Sequence, residues 1–152
     1  MSLDNLVGKT LEKVEPDKQS INRLLNAAKR NIADAHVGAV SQENRFDAAY
    51  KAIMQLANLA LQANGYRTLT SKPGHHQTML QSLVTSIGLD RDTMIVLDSL
   101  RKQRNVADYS GDIVSEASMR ECIVQAEKLL VTVVTWLKEN KPVFLIDNVS
   151  PT

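Results

Sequence analysis

The chain has 152 residues, 43% hydrophobic, 23% charged and 4% aromatic, with only 6 Gly and 4 Pro. This excludes disordered and fibrous chains and fits a single compact domain over 1–152, read below as helical and long enough to fold without a disulfide or a structural metal. Eighteen Lys and Arg against seventeen Asp and Glu leave a formal charge of +1, so any nucleic-acid contact has to come from a local patch rather than a global field.

Residues 1–15 read as an N-terminal helix, because Leu3, Leu6, Val7, Leu11 and Val14 recur at helical spacing before Pro16. A bundle core follows over 17–140. Asp17 or Ser20 is placed to cap a helix with the stripe Ile21, Leu24, Leu25, Ala28, Ile32 and Ala35, ending near Gly38. Ser41 then opens a long helix that keeps Phe46, Ala49, Tyr50, Ile53, Ala57, Ala60 and Leu61 on one face and stops at Asn64-Gly65. The stretch from Tyr66 to Gly74 has the turn chemistry of an exposed loop. Met79, Leu80, Leu83, Val84 and Ile87 mark a shorter helix closed by Gly88. Asp90 or Asp92 caps the next one, which carries Ile95, Leu97 and Leu100 into RKQRNVADY and ends at Gly111.

Ser115 opens the last long helix, with Met119, Ile123, Ala126, Leu130, Val133 and Leu137 at alternating four and three. Cys122, Leu129 and Trp136 step by seven beside them, and Val131 and Val134 widen the apolar surface. So much apolar surface predicts burial on more than one side and a homodimer that uses part of the Cys122, Leu129, Trp136 row. Pro142 stops the helix and leaves an apolar tail over 141–152. Since every strongly periodic segment has the helical period, the expected fold is all-α, an up-and-down helical bundle of about five or six helices. A lone Cys122 fits a reducing compartment. The start MSLDNLVGKTLEKVE lacks the regions of a signal peptide, and no apolar run is long enough for a membrane span, so a cytoplasmic protein without a membrane partner is expected.

Motifs for zinc, nucleotide phosphates and acyl transfer are absent, and the sequence implies no metal and no cofactor. His75 and His76 read as a solvent-facing helix start, since adjacent helical side chains point about 100° apart and share a metal poorly. His36 falls near a helix C-terminus, where the dipole favours it. The informative stretch is Leu97 to Tyr109. On a helix Leu97, Arg101, Arg104 and Asp108 share a face, so an apolar row turns into two guanidinium groups and a carboxylate. Arg104 and Asp108 at i,i+4 suit a helical ion pair, with Arg101 engaging a neighbouring helix. Alternatively Arg101, Arg104, Asn105 and Tyr109 line a polar notch in which the two guanidinium groups bind phosphate.

These elements resemble the HEPN superfamily, higher eukaryote and prokaryote nucleotide-binding domains. The matching pieces are RFDAAYKAIMQLANLAL, GYR at Tyr66 and Arg67, His75 and His76, and LRKQRNVADY, within roughly residues 20 to 138. The resemblance implies a helical bundle, commonly dimeric, whose active members are metal-independent ribonucleases with an Arg, often an Asn, then four to six residues and a His. By position the Arg and Asn fall on Arg104 and Asn105. The spacing for His leads to Tyr109, Ser110 and Gly111, and no His follows His76. A Tyr, with a reference pKa of about 10, matches acid–base chemistry on a ribose 2′-OH poorly at neutral pH. The resemblance therefore implies a non-catalytic module, and, read together with the charged helix face, the expected ligand-binding residues are Arg101, Arg104, Asn105, Asp108 and Tyr109. Such a module would bind RNA or a nucleotide, or serve as helical partner of a nucleotidyltransferase in a toxin-antitoxin-like or defence system. The alternative is a divergent metal-independent endoribonuclease using Arg104, Asn105 and Tyr109 with a base the motif does not identify.

Overall fold

The computed structural model describes residues 2–71, 73–111 and 114–145, with the side chains of 108–110 outside that description. Five α-helices carry the described fold: α1 (Lys18–Ala35), α2 (Gln42–Ala63), α3 (His75–Ser86), α4 (Arg91–Ser110) and α5 (Glu116–Asn140). Each of four starts where a side-chain oxygen takes over an unpaired backbone N–H. Asp17 accepts from Gln19 and Ser20 at the start of α1, Ser41 from Asn44 at α2, Asp90 from Thr93 at α4, and Ser115 from Ser118 at α5. The start of α3 has no such cap and follows Gly74, whose φ of +78° suits a residue without a Cβ.

The central element is α2. On α1 the buried Ile21, Leu25, Ala28, Ile32 and Ala35 lie on one face, whereas α2 buries Phe46, Ala49, Tyr50, Ile53, Leu56, Ala57, Ala60 and Leu61 around most of its circumference. Its many alanines let neighbouring helices approach closely, and α1, α5 and α3 pack around it. The α1–α2 pair is antiparallel: Arg45 Nε donates to the Ala35 carbonyl at 2.7 Å, and Asn31 Nδ2 to Gln55 Oε1 at 2.8 Å farther along. By contrast α2 and α3 share a direction, with Tyr50 beside His76 at one end and Asn64 Nδ2 donating to the Ser86 carbonyl at the other.

Residues 2–15, the described part of the expected helix over 1–15, do not form that helix. Leu3–Leu6 is a single 3-10 turn, and Leu11–Lys13 is a strand, β1, that pairs antiparallel with β2 (Tyr66–Thr68). The apolar spacing fits a helix, but Gly8 sits at φ +85° and turns the chain, after which Leu11 is fully buried. Part of the expected exposed loop is therefore β2, with Arg67 Nε 2.8 Å from Glu12 Oε2 across the pair.

The surface assigned to a dimer also changes. Cys122 and Leu129 are buried within the protomer, because α5 lies against α2 and α1, and only Trp136 of that row is partly exposed. The thiol of Cys122 donates to the Phe46 carbonyl, and burial pushes its pKa up to about 12. Val124 and Val131 are the large apolar residues that α5 leaves outside, 43% and 65% exposed. Of the apolar tail, 142–144 form a 3-10 turn whose Phe144 carbonyl accepts from Asn22 Nδ2 at 2.9 Å; Ile146 onward lies outside the described residues.

Candidate functional site

Near the C-terminal end of α4, Arg104 reaches α2. Its Nε lies 3.4 Å from Asp47 Oδ1, and its guanidinium carbon lies 5.0 Å from the centroid of the Tyr50 ring. Tyr50 is a core residue, 3% exposed, held by the apolar circumference of α2. Its hydroxyl is 3.5 Å from His76 Nδ1 on the first turn of α3, a long contact at the edge of hydrogen bonding. Together with Lys51 and Asn58 these residues line a pocket of about 330 Å³ between α2, α3 and α4.

The pocket's groups have separated protonation behaviour. Burial pushes the Tyr50 hydroxyl up to about 12, against the opposing pull of Arg104 and Arg101, so it keeps its proton at neutral pH. Burial also lowers the pKa of His76, and the neighbouring His75, Arg104 and Arg101 lower it further. A lowered His76 is a neutral imidazole at pH 7, with a lone pair on one nitrogen. Arg104 and Lys51 bring two positive charges and Asp47 one negative charge, which leaves the pocket able to accept an anion. The guanidinium over an aromatic ring is held by cation–π attraction and presents a flat, charged surface.

Of the described side chains singled out on α4, Arg104 lines this pocket. Arg101 instead donates from Nε to Asp98 Oδ1 at 2.7 Å, with both side chains about one-seventh exposed at 15% and 14%. Its partner is thus on its own helix, three residues back, rather than on a neighbour. Asn105 is exposed and not among the residues that line the pocket. The side chains of Asp108 and Tyr109 lie outside the described residues, and the expected Arg104–Asp108 ion pair with them.

His76 is half-buried against Tyr50 rather than solvent-facing, because α3 begins directly beside that ring. A spacing argument confined to α4 misses Asp47, Tyr50, Lys51, Asn58 and His76, which α2 and α3 supply. One signal was present in the sequence: Lys51, Gln55, Asn58 and Gln62 form a polar seam in the otherwise apolar stretch 48–63.

A larger groove of about 830 Å³ beside α4 is lined by Met94, Ile95, Val106 and Val114, and its one carboxylate among the described residues, Asp98, already engages Arg101 and Lys102. Among the described residues no three His, Cys, Asp or Glu side chains are grouped to hold a metal ion, and no helix is long and apolar enough to cross a membrane. Compared with known proteins, the chain matches no family model and no curated sequence.

Proposed function

We propose that this chain is a HEPN-like, non-catalytic helical module that binds RNA or a nucleotide, with the phosphate received in the pocket under Arg104. The observation that carries this reading is the convergence of three helices there. Arg104 from α4, His76 from α3 and Tyr50 and Lys51 from α2 enclose one space large enough for a phosphate and part of its nucleoside. Arg104 offers N–H donors to phosphate oxygens and a flat face for a base, and its tie to Asp47 is partly exposed and cheap to loosen. The homodimer implied by the resemblance stays part of the proposal, and light scattering at micromolar concentration checks it.

Fluorescence anisotropy with a labelled mononucleotide tests the pocket. Arg104→Ala should weaken binding about tenfold or more, as expected when one charge-assisted hydrogen bond is removed, and binding should weaken as salt rises. Equal affinity of wild type and variant rules out the pocket.

One observation favours a second reading, a metal-independent endoribonuclease. His76 puts a neutral imidazole into the pocket of Arg104, the kind of group that takes a proton from a ribose 2′-OH near neutrality. Cleavage of labelled single-stranded RNA without metal, lost in both His76→Ala and Arg104→Ala, would establish it. Binding without cleavage leaves the module reading in place.

A further inference from the structure

We infer that the Arg104 pocket is one end of a longer track for a single-stranded polynucleotide, which follows the polar seam of α2 to a second phosphate subsite made by Arg23 and Arg30 of α1. This rests on the reading of the Arg104 pocket as a phosphate site. Arg23 and Arg30 stand seven residues apart, two turns along one face of α1, and are exposed. With Ser20, Asn26 and Gln62 they line a second pocket, of about 480 Å³, on the α1–α2 seam. Gln62 belongs to that pocket and Asn58 to the first, and Gln62 Nε2 donates to Asn58 Oδ1 at 3.1 Å, so the two pockets meet through one hydrogen-bonded amide pair.

The floor between them is polar throughout. Around Lys51, Gln55, Asn58 and Gln62 the rest of α2 is buried, so these side chains are the strip that the helix shows to solvent over this length. Gln55 is held from α1 by Asn31. Lys51 to Gln62 spans about 17 Å at the helical rise of 1.5 Å per residue, more than one nucleotide covers.

Cations sit at both ends, Arg104 and Lys51 at one and Arg23 and Arg30 at the other, with carboxamides between them. With Asp47 counted beside Arg104, the residues lining the two pockets still carry more cations than carboxylates, in a chain of net charge +1. Phosphates suit the ends and base edges suit the middle. Each carboxamide keeps donor and acceptor capacity beyond the one bond it makes here, and a duplex would hide the base edges in its own pairing, which selects for a single strand.

The test compares three ligands on the full chain by anisotropy: a labelled mononucleotide, a single-stranded oligoribonucleotide long enough to span both pockets, and the same sequence as a duplex. The double variant Arg23→Ala, Arg30→Ala should weaken oligonucleotide binding about tenfold or more and lower its salt slope by about 1.4, roughly 0.7 for each phosphate that an arginine no longer neutralises. Mononucleotide binding should not change. Thermal melting should overlay that of wild type, because both arginines are exposed.

An oligonucleotide affinity unaffected by the double variant overturns the track while leaving the Arg104 pocket standing. Equal affinity for the duplex overturns the single-strand assignment. Failure of the pocket itself has a different signature: mononucleotide binding is then indifferent to Arg104→Ala, and the track falls with it. A wild-type chain that binds none of the ligands overturns both.

Discussion

Arg101 and Arg104 stand three residues apart on α4 and occupy different physical situations. Arg101 lies against Asp98 at 2.7 Å with both side chains mostly shielded from water, so its charge is spent within the helix. Arg104 is 3.4 Å from a more exposed Asp47, lies over Tyr50 and opens into a pocket. A helical repeat puts two guanidinium groups in one row. Which one reaches a pocket depends on the elements packed around each.

The largest expected effect separates the two directly. Arg101→Ala leaves Asp98 largely shielded with Lys102 at 3.6 Å as its remaining cation, and should cost about 1–3 kcal/mol of stability. Arg104→Ala should cost less than about 1 kcal/mol, because its ion pair is partly exposed. Urea unfolding of the two variants measures this, and the order should reverse when mononucleotide binding is read instead. Equal losses of stability would mean that both arginines are structural.

Much of the fold was legible because helix starts carry their own chemistry. Ser41 and Ser115 each announce a cap and serve as one, and of the alternatives Asp17 or Ser20 and Asp90 or Asp92 the caps are Asp17 and Asp90. The β1–β2 pair was not legible. Three residues are too few to show an alternating pattern, and Leu3, Leu6, Val7 and Leu11 match a helical stripe as well as they match a turn followed by a strand. Gly8 was the clue. For the site, Arg104 was legible as a cation in line with the core, but its partners are distant in sequence. Tyr50 counted as core, which it is, and nothing in the periodicity of α2 shows that its hydroxyl meets a histidine from α3.

His76 sharpens the comparison through pH, with a smaller effect. Its folded pKa lies below the ordinary 6.5, so the unfolded chain binds its proton more readily. The stability linked to this group is therefore full above about pH 6.5 and is lost as pH falls toward the folded value. A phosphate in the pocket acts the other way, since an anion beside the imidazole favours its charged form. Histidine NMR titration should show a His76 pKa below 6.5 in the free chain that rises when inorganic phosphate or a mononucleotide is added. Ligand affinity should increase as pH drops through the ligand-bound value. A pKa that does not respond to ligand would place the phosphate away from the Arg104 pocket.

The smallest expected effect falls one residue beyond Arg104. The resemblance pairs Arg104 with Asn105 as one motif, whereas the pocket takes Arg104 and leaves Asn105 exposed outside its lining. Successive positions on a helix diverge by about 100°, so a ligand centred between Arg104, Tyr50 and His76 is engaged without the Asn105 amide. Asn105→Ala should change stability by less than about 0.5 kcal/mol, as exposed substitutions usually do, and mononucleotide affinity by a factor of about two or less. If the affinity instead falls as far as it does in Arg104→Ala, the ligand sits on the outer side of α4. The motif pair, not the three-helix pocket, would then be the unit that binds.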